Sequence, residues 1–296
     1  MSNIIKLAIY ARPSIIDHLP RLEGLVDALI NYGFQLFWHH SLIMVGQEMK
    51  KGSVSGFFSF EDAEKPEMNL LICLGGDGTI LDTVPWAYRW DLPIMGFHFG
   101  RLGFLTTVDP GMDLMPALSS IQSNSIKYDH RQLLSCQYIG PDGEEKTAIS
   151  LNELVVHRSQ DVMMRIQCLV DGEILNEYRA DGLIVSTPNG STAYSMSCGG
   201  PIVLPGSKIW LITPVAGHQL GIRPVLVDDS SKIHLILDIR DGPGNLMVDG
   251  KSIPANLSYP LKIERAPGFL RIATLDPHSF LDNLRKKLLW GLDSRI

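Results

Sequence analysis

The fold turns on one stretch, Leu70-Leu71-Ile72-Cys73-Leu74-Gly75-Gly76-Asp77-Gly78-Thr79. Leu70 to Leu74 is apolar without alternation, the pattern of a parallel strand buried on both faces. A glycine-rich turn follows, and then a helical stretch begins. Glycines at such a junction let the backbone come close to a ligand, and amides at a helix start attract phosphate. Open α/β sheets bind ligands in the crevice beyond the carboxyl ends of their strands. The stretch is not a P-loop, because no Gly-Lys-Ser/Thr follows, and it does not match G-x-G-x-x-G.

Asp77 is the unusual member, because a carboxylate among phosphate-binding amides repels phosphate. Two readings stand: it accepts a hydroxyl proton or holds a metal, or it merely caps the following helix. Pro85 is expected to shorten or kink that helix.

Outward from this stretch, Lys6 to Ala11 reads as a strand. Leu22, Leu25, Val26, Leu29 and Ile30 form the stripe of an amphipathic helix, which Asn31-Tyr32-Gly33 stops. Phe34 to Trp38 and Leu92 to Phe97 read as further strands. Residues 1–110 are therefore expected to form an α/β, Rossmann-like domain, ending near Asp109-Pro110-Gly111. From about Lys127 the chain runs in short strands split by Pro141-Asp142-Gly143, Asp171-Gly172, Asp241-Gly242 and Asp249-Gly250, the chemistry of tight hairpins. Residues 111–278 are expected to form an all-β, sandwich-like domain. In 279–296, Phe280, Leu281, Leu284, Leu288 and Leu289 share one helical face, which either caps the β half or returns to the first domain.

Two more segments are chemically suggestive. In Asp181 to Pro201 a strand ends at Pro188-Asn189-Gly190, followed by Ser191-Thr192-Ala193-Tyr194-Ser195-Met196-Ser197. Hydroxyls and amides there can bind ribose, adenine or phosphate, or the run is simply a polar loop. Asn152-Glu153 lies between apolar pieces; neighbours in a strand point to opposite faces, so both meet one ligand only at a bend or a strand end. Arg179 and Asp181 read either as ligand contacts or as a cross-strand ion pair.

The 296 residues exceed what one core usually spans, so two domains are expected. With 26 Lys and Arg against 32 Asp and Glu, the net charge is −6, and the basic footprint of a nucleic-acid binder is missing. An anionic ligand must be held by amides and a few placed cations. The four cysteines lack metal or disulfide spacing, and the nine histidines form no H-x-x-H, so no metal site built by protein alone is expected. His39-His40 reads as surface and Arg285-Lys286-Lys287 as a solvated helix face. No apolar run approaches the roughly 20 residues of a membrane helix, and Met1 to Lys6 does not read as a signal peptide, so a cytoplasmic protein without membrane partners is expected.

Taken together, Leu74-Gly75-Gly76-Asp77-Gly78-Thr79, Asn152-Glu153 and Asp181 to Pro201 resemble the NAD kinase family, as do Gly100-Arg101-Leu102-Gly103-Phe104-Leu105-Thr106 and the ending Leu284-Arg285-Lys286-Lys287-Leu288-Leu289-Trp290-Gly291. The resemblance covers most of the chain from about residue 70. It implies NAD bound between an α/β domain and a β-sandwich-like domain, in a homodimer or homotetramer whose neighbouring subunit helps complete the site. It implies ATP-dependent phosphorylation of NAD to NADP with Mg2+ or another divalent cation. Asp77 would be the base, and Gly75, Gly76, Gly78 and Thr79 the phosphate loop. Asn152, Glu153, Arg179, Asp181, Thr192, Ala193, Tyr194, Ser195, Met196, Ser197, Ala216 and Lys251 would line the NAD pocket with Asp77 and Gly78. Asn189 stands where the family usually has Thr, His98 where many bacterial members have Asn, and Lys251 where Gln is frequent. A lipid kinase sharing the Gly-Gly-Asp-Gly-Thr loop and a non-catalytic dinucleotide-binding regulator are the alternatives.

Overall fold

The structure is a computed structural model describing residues 4–49, 54–62, 67–100, 103–106, 108–111, 113–158, 163–238, 244–274 and 280–289. The chain divides into two compact units, Met1–His130 with Leu270–Ile296, and Arg131–Phe269. Strands β1 (Lys6–Ala11), β2 (Gln35–His39), β3 (Gly56–Phe58), β4 (Leu70–Gly75), β5 (Ile94–His98) and β6 (Lys127–Arg131) come first. Then follow β7 (Leu134–Ile139), β8 (Glu145–Ser150), β9 (Glu153–Arg158), β10 (Met164–Val170), β11 (Glu173–Ala180), β12 (Gly182–Ser186), β13 (Ile209–Val215), β14 (Val225–Asp228), β15 (Ile233–Asp238), β16 (Gly244–Val248), β17 (Lys251–Ile253) and β18 (Leu261–Arg265). Strand β19 (Leu270–Thr274) returns to the first unit. The helices are α1 (Leu19–Asn31), α2 (Ile43–Glu48), α3 (Asp77–Arg89), α4 (Met115–Gln122), α5 (Tyr194–Ser197) and α6 (Phe280–Leu288).

Among the described residues the first sheet has the order β3-β2-β1-β4-β5-β19-β6, and β1 to β5 pair in parallel. The unbroken apolar run of β4 follows from its place. Leu70, Ile72 and Leu74 enter the core that α1 closes with Leu22, Leu25, Val26 and Leu29. The alternate residue Cys73 faces the other way, its sulfur 3.5 Å from Thr83 of α3. The chain builds outward from β1 in one direction and resumes with β4 on its other side. The ends of β1 and β4 therefore flank a topological switch point, where sheets of this class open a crevice. Helix α3 runs on through Pro85, whose ring faces solvent, so the carbonyl left without its donor is on the wet side.

The first unit continues past the Asp109-Pro110-Gly111 turn, where the sequence suggested a boundary. The turn signal was real, but α4 buries Ala117, Leu118 and Ile121 in the first unit's core and β6 joins its sheet. The division falls after His130, and α6 belongs to the first unit.

In the second unit two antiparallel sheets run β11-β10-β15-β18-β7-β8 and β14-β13-β12-β9-β16-β17. One contributes Cys136, Ile166, Cys168, Tyr178 and Leu235 to a shared core, and the other Leu154, Val156, Leu183, Val185, Trp210 and Ile212. That is a sandwich. Asp171-Gly172 and Asp249-Gly250 take positive φ at both residues, as two-residue hairpins of this twist require. Asp241-Gly242 lies outside the described residues. All four cysteines are free, three of them buried. No described helix is long and apolar enough to cross a membrane.

Candidate active site

In the first unit, Gly75 ends β4 at φ +154°, and a Cβ there would stand 2.2 Å from the Thr79 hydroxyl. Thr79 is buried against it and Gly76 is the N-cap of α3. Asp77 is the first residue of α3, but the bonds its side chain makes lie outside the helix's first turn. It turns away to the loop that follows β5. Oδ2 accepts the amide of Phe104 at 2.7 Å, and Oδ1 those of Leu105 at 2.9 Å and Thr106 at 3.3 Å. Gly103 leaves the room this needs, since a Cβ there would lie 1.8 Å from Oδ1. The ammonium of Lys287 on α6 comes within 3.4 Å of Oδ2. The helix-cap reading of Asp77 is thus not realised.

Arg12, just beyond β1, donates to the Gly78 carbonyl at 3.0 Å and through Nε to Asp82 at 2.7 Å. A cleft of about 250 Å³ at the switch point is lined by Arg12, Ser14, Gly75, Gly76, Thr79 and Phe99, among others. His98 points to Asp109, 3.8 Å away. Arg101, Leu102, Trp290 and Gly291 lie outside the described residues.

In the second unit the structure draws Asn152, Glu153 and the Pro188–Ser195 loop into one cluster. Thr187 donates its amide to the Asn152 carbonyl at 2.9 Å and its hydroxyl to the Leu151 carbonyl at 2.6 Å. Asn189 donates to the Asn152 side chain at 2.6 Å, so its amide at the unusual position is engaged within the cluster. Gly190 lies flat on Asn152, where a Cβ would meet the Asn152 carbonyl at 2.2 Å. Its smallness serves backbone-to-backbone packing here. Thr192 bonds back to the Asn189 carbonyl at 3.3 Å, and Ser195 is fully buried and bonded to Thr213 at 2.8 Å. These hydroxyls build the loop from beneath, while Tyr194 and Ser197 are exposed and Ala193 and Met196 are half-buried.

Asp249 organises the Asn152-Glu153 bend. Its carboxylate accepts the Ser150 hydroxyl at 2.6 Å and the amides of Leu151, Asn152 and Glu153 at 2.8 to 3.1 Å. Burial, and then the Asp249 charge, push the Glu153 carboxyl up to about 8, against a backbone bond from Tyr194. Burial also raises Asp249, against the bonds it accepts from Ser150 and from the amides of Leu151, Asn152 and Glu153. One Glu153 oxygen is buried without a partner.

Arg179, Asp181 and Ala216 gather elsewhere. Asp181 pairs with Arg158 at 2.9 Å and Arg179 with Glu177 at 4.0 Å, so the cross-strand pairing of Arg179 with Asp181 is not formed. Ala216 has φ +47°, and its neighbour Val215 accepts the Asp181 amide. Asp181 and Ser186 bracket β12, whose ends stand about 13 Å apart. Lys251 is exposed beside the Asp249-Gly250 turn.

Sequence reasoning passed over Arg12, Lys287 and Asp249. Asp249 was legible only as a turn residue, Lys287 only as part of a charged helix face and of the family-like ending, and Arg12 carried no signal. The nearest signal was the Gly100 to Thr106 block, whose amides the fold delivers to Asp77.

The sequence matches the family model of the ATP-NAD kinase N-terminal domain over residues 46–115 and that of the ATP-NAD kinase C-terminal domain over residues 151–266. An NAD kinase of Porphyromonas gingivalis is 37% identical over 233 residues, covering 78% of this chain and 79% of that one. An NAD kinase of Cytophaga hutchinsonii is 32% identical over 97% of this chain and 99% of its own. In fold, the chain is similar to yeast NADH kinase complexed with NADH, with TM-score 0.86, 22% identity and coverage of 99% and 90% of the two chains. It is also similar to an NAD kinase from Archaeoglobus fulgidus in complex with ATP, with TM-score 0.70, 24% identity and coverage of 96% and 99%.

Proposed function

This chain belongs to the NAD kinase family, and from that premise we propose that it transfers the γ-phosphoryl group of ATP to the 2′-hydroxyl of the adenosine ribose of NAD. The observation that carries the assignment is Asp77, a part-exposed carboxylate at the switch point, fixed by three amides rather than spent on a helix cap. Asp77 takes the proton of the ribose hydroxyl as its oxygen bonds to the γ-phosphorus. The bond from that phosphorus to the β,γ-bridging oxygen breaks, and ADP leaves with the electron pair. Little covalent chemistry is asked of the protein beyond positioning.

The phosphates meet Gly75, Gly76, Gly78 and Thr79, with Arg12 the nearest cation on the β1 side. Among the described residues no three His, Cys, Asp or Glu side chains gather as a resident metal site. A divalent cation instead fits as a companion of ATP, held mainly by the substrate phosphates and water. It would neutralise charge on the phosphate oxygens. Asn152, Glu153 and the Thr192 to Ser197 loop hold NAD, with Ser195 acting from behind. Arg179, Asp181, Ala216 and Lys251 complete its pocket.

We further infer a homo-oligomer, a dimer or tetramer. Edge strands β11 and β14 present Ile174, Leu175 and Leu226 to solvent, and Leu220 nearby is 95% exposed. Uncovered apolar edges of this kind favour association. Four free thiols accord with a reducing, cytoplasmic setting.

An ADP-release assay on the purified protein tests the activity, with NAD, NADH, a diacylglycerol or no acceptor, and magnesium varied. Release that requires NAD and yields NADP is the expected result. Release with the lipid alone would assign a lipid kinase, and tight NAD binding without release a regulator. Sedimentation tests the assembly, and a monomer at micromolar concentration would refute it.

A further inference from the structure

A triphosphate carrying several negative charges must approach a carboxylate, in a chain whose net charge of −6 gives no general positive field. Some placed cation has to offset Asp77. The ammonium of Lys287 lies 3.4 Å from Asp77 Oδ2 and 4.0 Å from the centroid of the Phe104 ring. Phe104 itself carries one of the amides that hold Asp77, and its ring packs on Phe280 of the same helix at 5.8 Å. The lysine is thus seated by an aromatic face and aimed at the carboxylate. Its side chain and that of Asp77 are each about one quarter exposed, 26% and 28%, so a ligand can reach both.

We propose that Lys287 is a positioning residue of the phosphoryl transfer: it holds the Asp77 carboxylate toward the 104–106 loop and balances its charge, so that the terminal phosphates of ATP can come close. The inference rests on the phosphotransfer reading above and adds to it the donor-side cation that the sequence did not reveal. Lys286, one residue earlier, is exposed, makes no ion pair among the described residues, and serves as the control.

Binding of a non-hydrolysable ATP analogue, measured by calorimetry, separates this role from a structural one, because it does not depend on turnover. K287Q should weaken the analogue by on the order of tenfold or more, K287R should stay within about threefold of wild type, and K286Q should change nothing. D77N should tighten the analogue, and D77N/K287Q should return to near the wild-type affinity, because the two charges act with opposite sign. NAD affinity should stay within about twofold in K287Q. Should K287Q alone be unstable in thermal unfolding, the double variant, which leaves no unbalanced charge, carries the test. A K287Q protein that binds the analogue as wild type does, or a double variant as weak as K287Q, overturns the proposal. A wild-type protein that binds the analogue but never phosphorylates NAD overturns the phosphotransfer reading instead.

Discussion

At the scale of single residues, the two carboxylates of greatest consequence have opposite surroundings. Asp77 accepts three amides and an ammonium at a part-exposed position, while Glu153 is 6% exposed with one oxygen unpartnered. As a general base, Asp77 contributes on the order of 10²- to 10⁴-fold. D77N should therefore lower kcat by about that factor while NAD still binds; an active D77N enzyme would show that the carboxylate is not the base. Glu153 makes a different forecast, in stability. In the unfolded chain it ionises near 4.5, whereas the folded chain holds its proton until about pH 8. The folded state thus binds a proton that the unfolded state has lost, and stability from this group is full below about pH 4.5 and lost as pH rises toward 8. Between pH 5 and 8.5 the wild type should lose on the order of 1 to 4 kcal/mol relative to E153Q in urea unfolding. A difference independent of pH would show that Glu153 does not keep its proton.

At the scale of elements, the catalytic geometry is set by how the β4–α3 turn meets the loop after β5. Gly103 is the fitted piece, because any side chain there must displace the Asp77 carboxylate or Thr106, whose hydroxyl oxygen lies 2.5 Å from the added carbon. Overpacking of this sort costs about 1 to 3 kcal/mol. G103A should fold, melt a few degrees lower and lose kcat by nearly as much as D77N, without a comparable change in NAD affinity. Steady-state kinetics with calorimetry decides it, and wild-type kcat in G103A would mean the loop does not hold the base in place. The hairpin between β16 and β17 plays the matching part in the second unit. D249A would leave the Ser150 hydroxyl and three amides without their acceptor. We expect it to weaken NAD at least tenfold and to cost about 2 to 4 kcal/mol in chemical unfolding. Unchanged NAD affinity would exclude Asp249 as the support of the Asn152-Glu153 bend.

At the scale of the molecule, one unit is continuous in sequence and the other is not. Arg131–Phe269 contains both of its sheets and the core between them. Met1–His130 lacks β19, which stands between β5 and β6 in its sheet. A 131–269 segment should fold alone with a cooperative transition, whereas 1–130 should not until 270–296 is supplied. Circular dichroism and amide exchange on the two segments check this, and a cooperatively folded 1–130 would show that β19 is dispensable to that sheet.

What the sequence determined by itself was whatever is local. Continuous apolarity marked β4, spacing marked α1, and Asp-Gly pairs marked the hairpins, because each is set by backbone geometry over a few residues. The motif blocks also carried the family, since order and spacing along a chain are visible without a fold. What only the tertiary structure decided was every partnership across the chain: α4 packing in the first unit's core, β6 joining its sheet, β19 inserted beside β5, Asp249 under Asn152, Arg12 beside Gly78, and Lys287 beside Asp77, 210 residues away. Such contacts leave no periodic trace, because a charge or a carboxylate looks the same in sequence whether it faces water or a partner brought to it by folding.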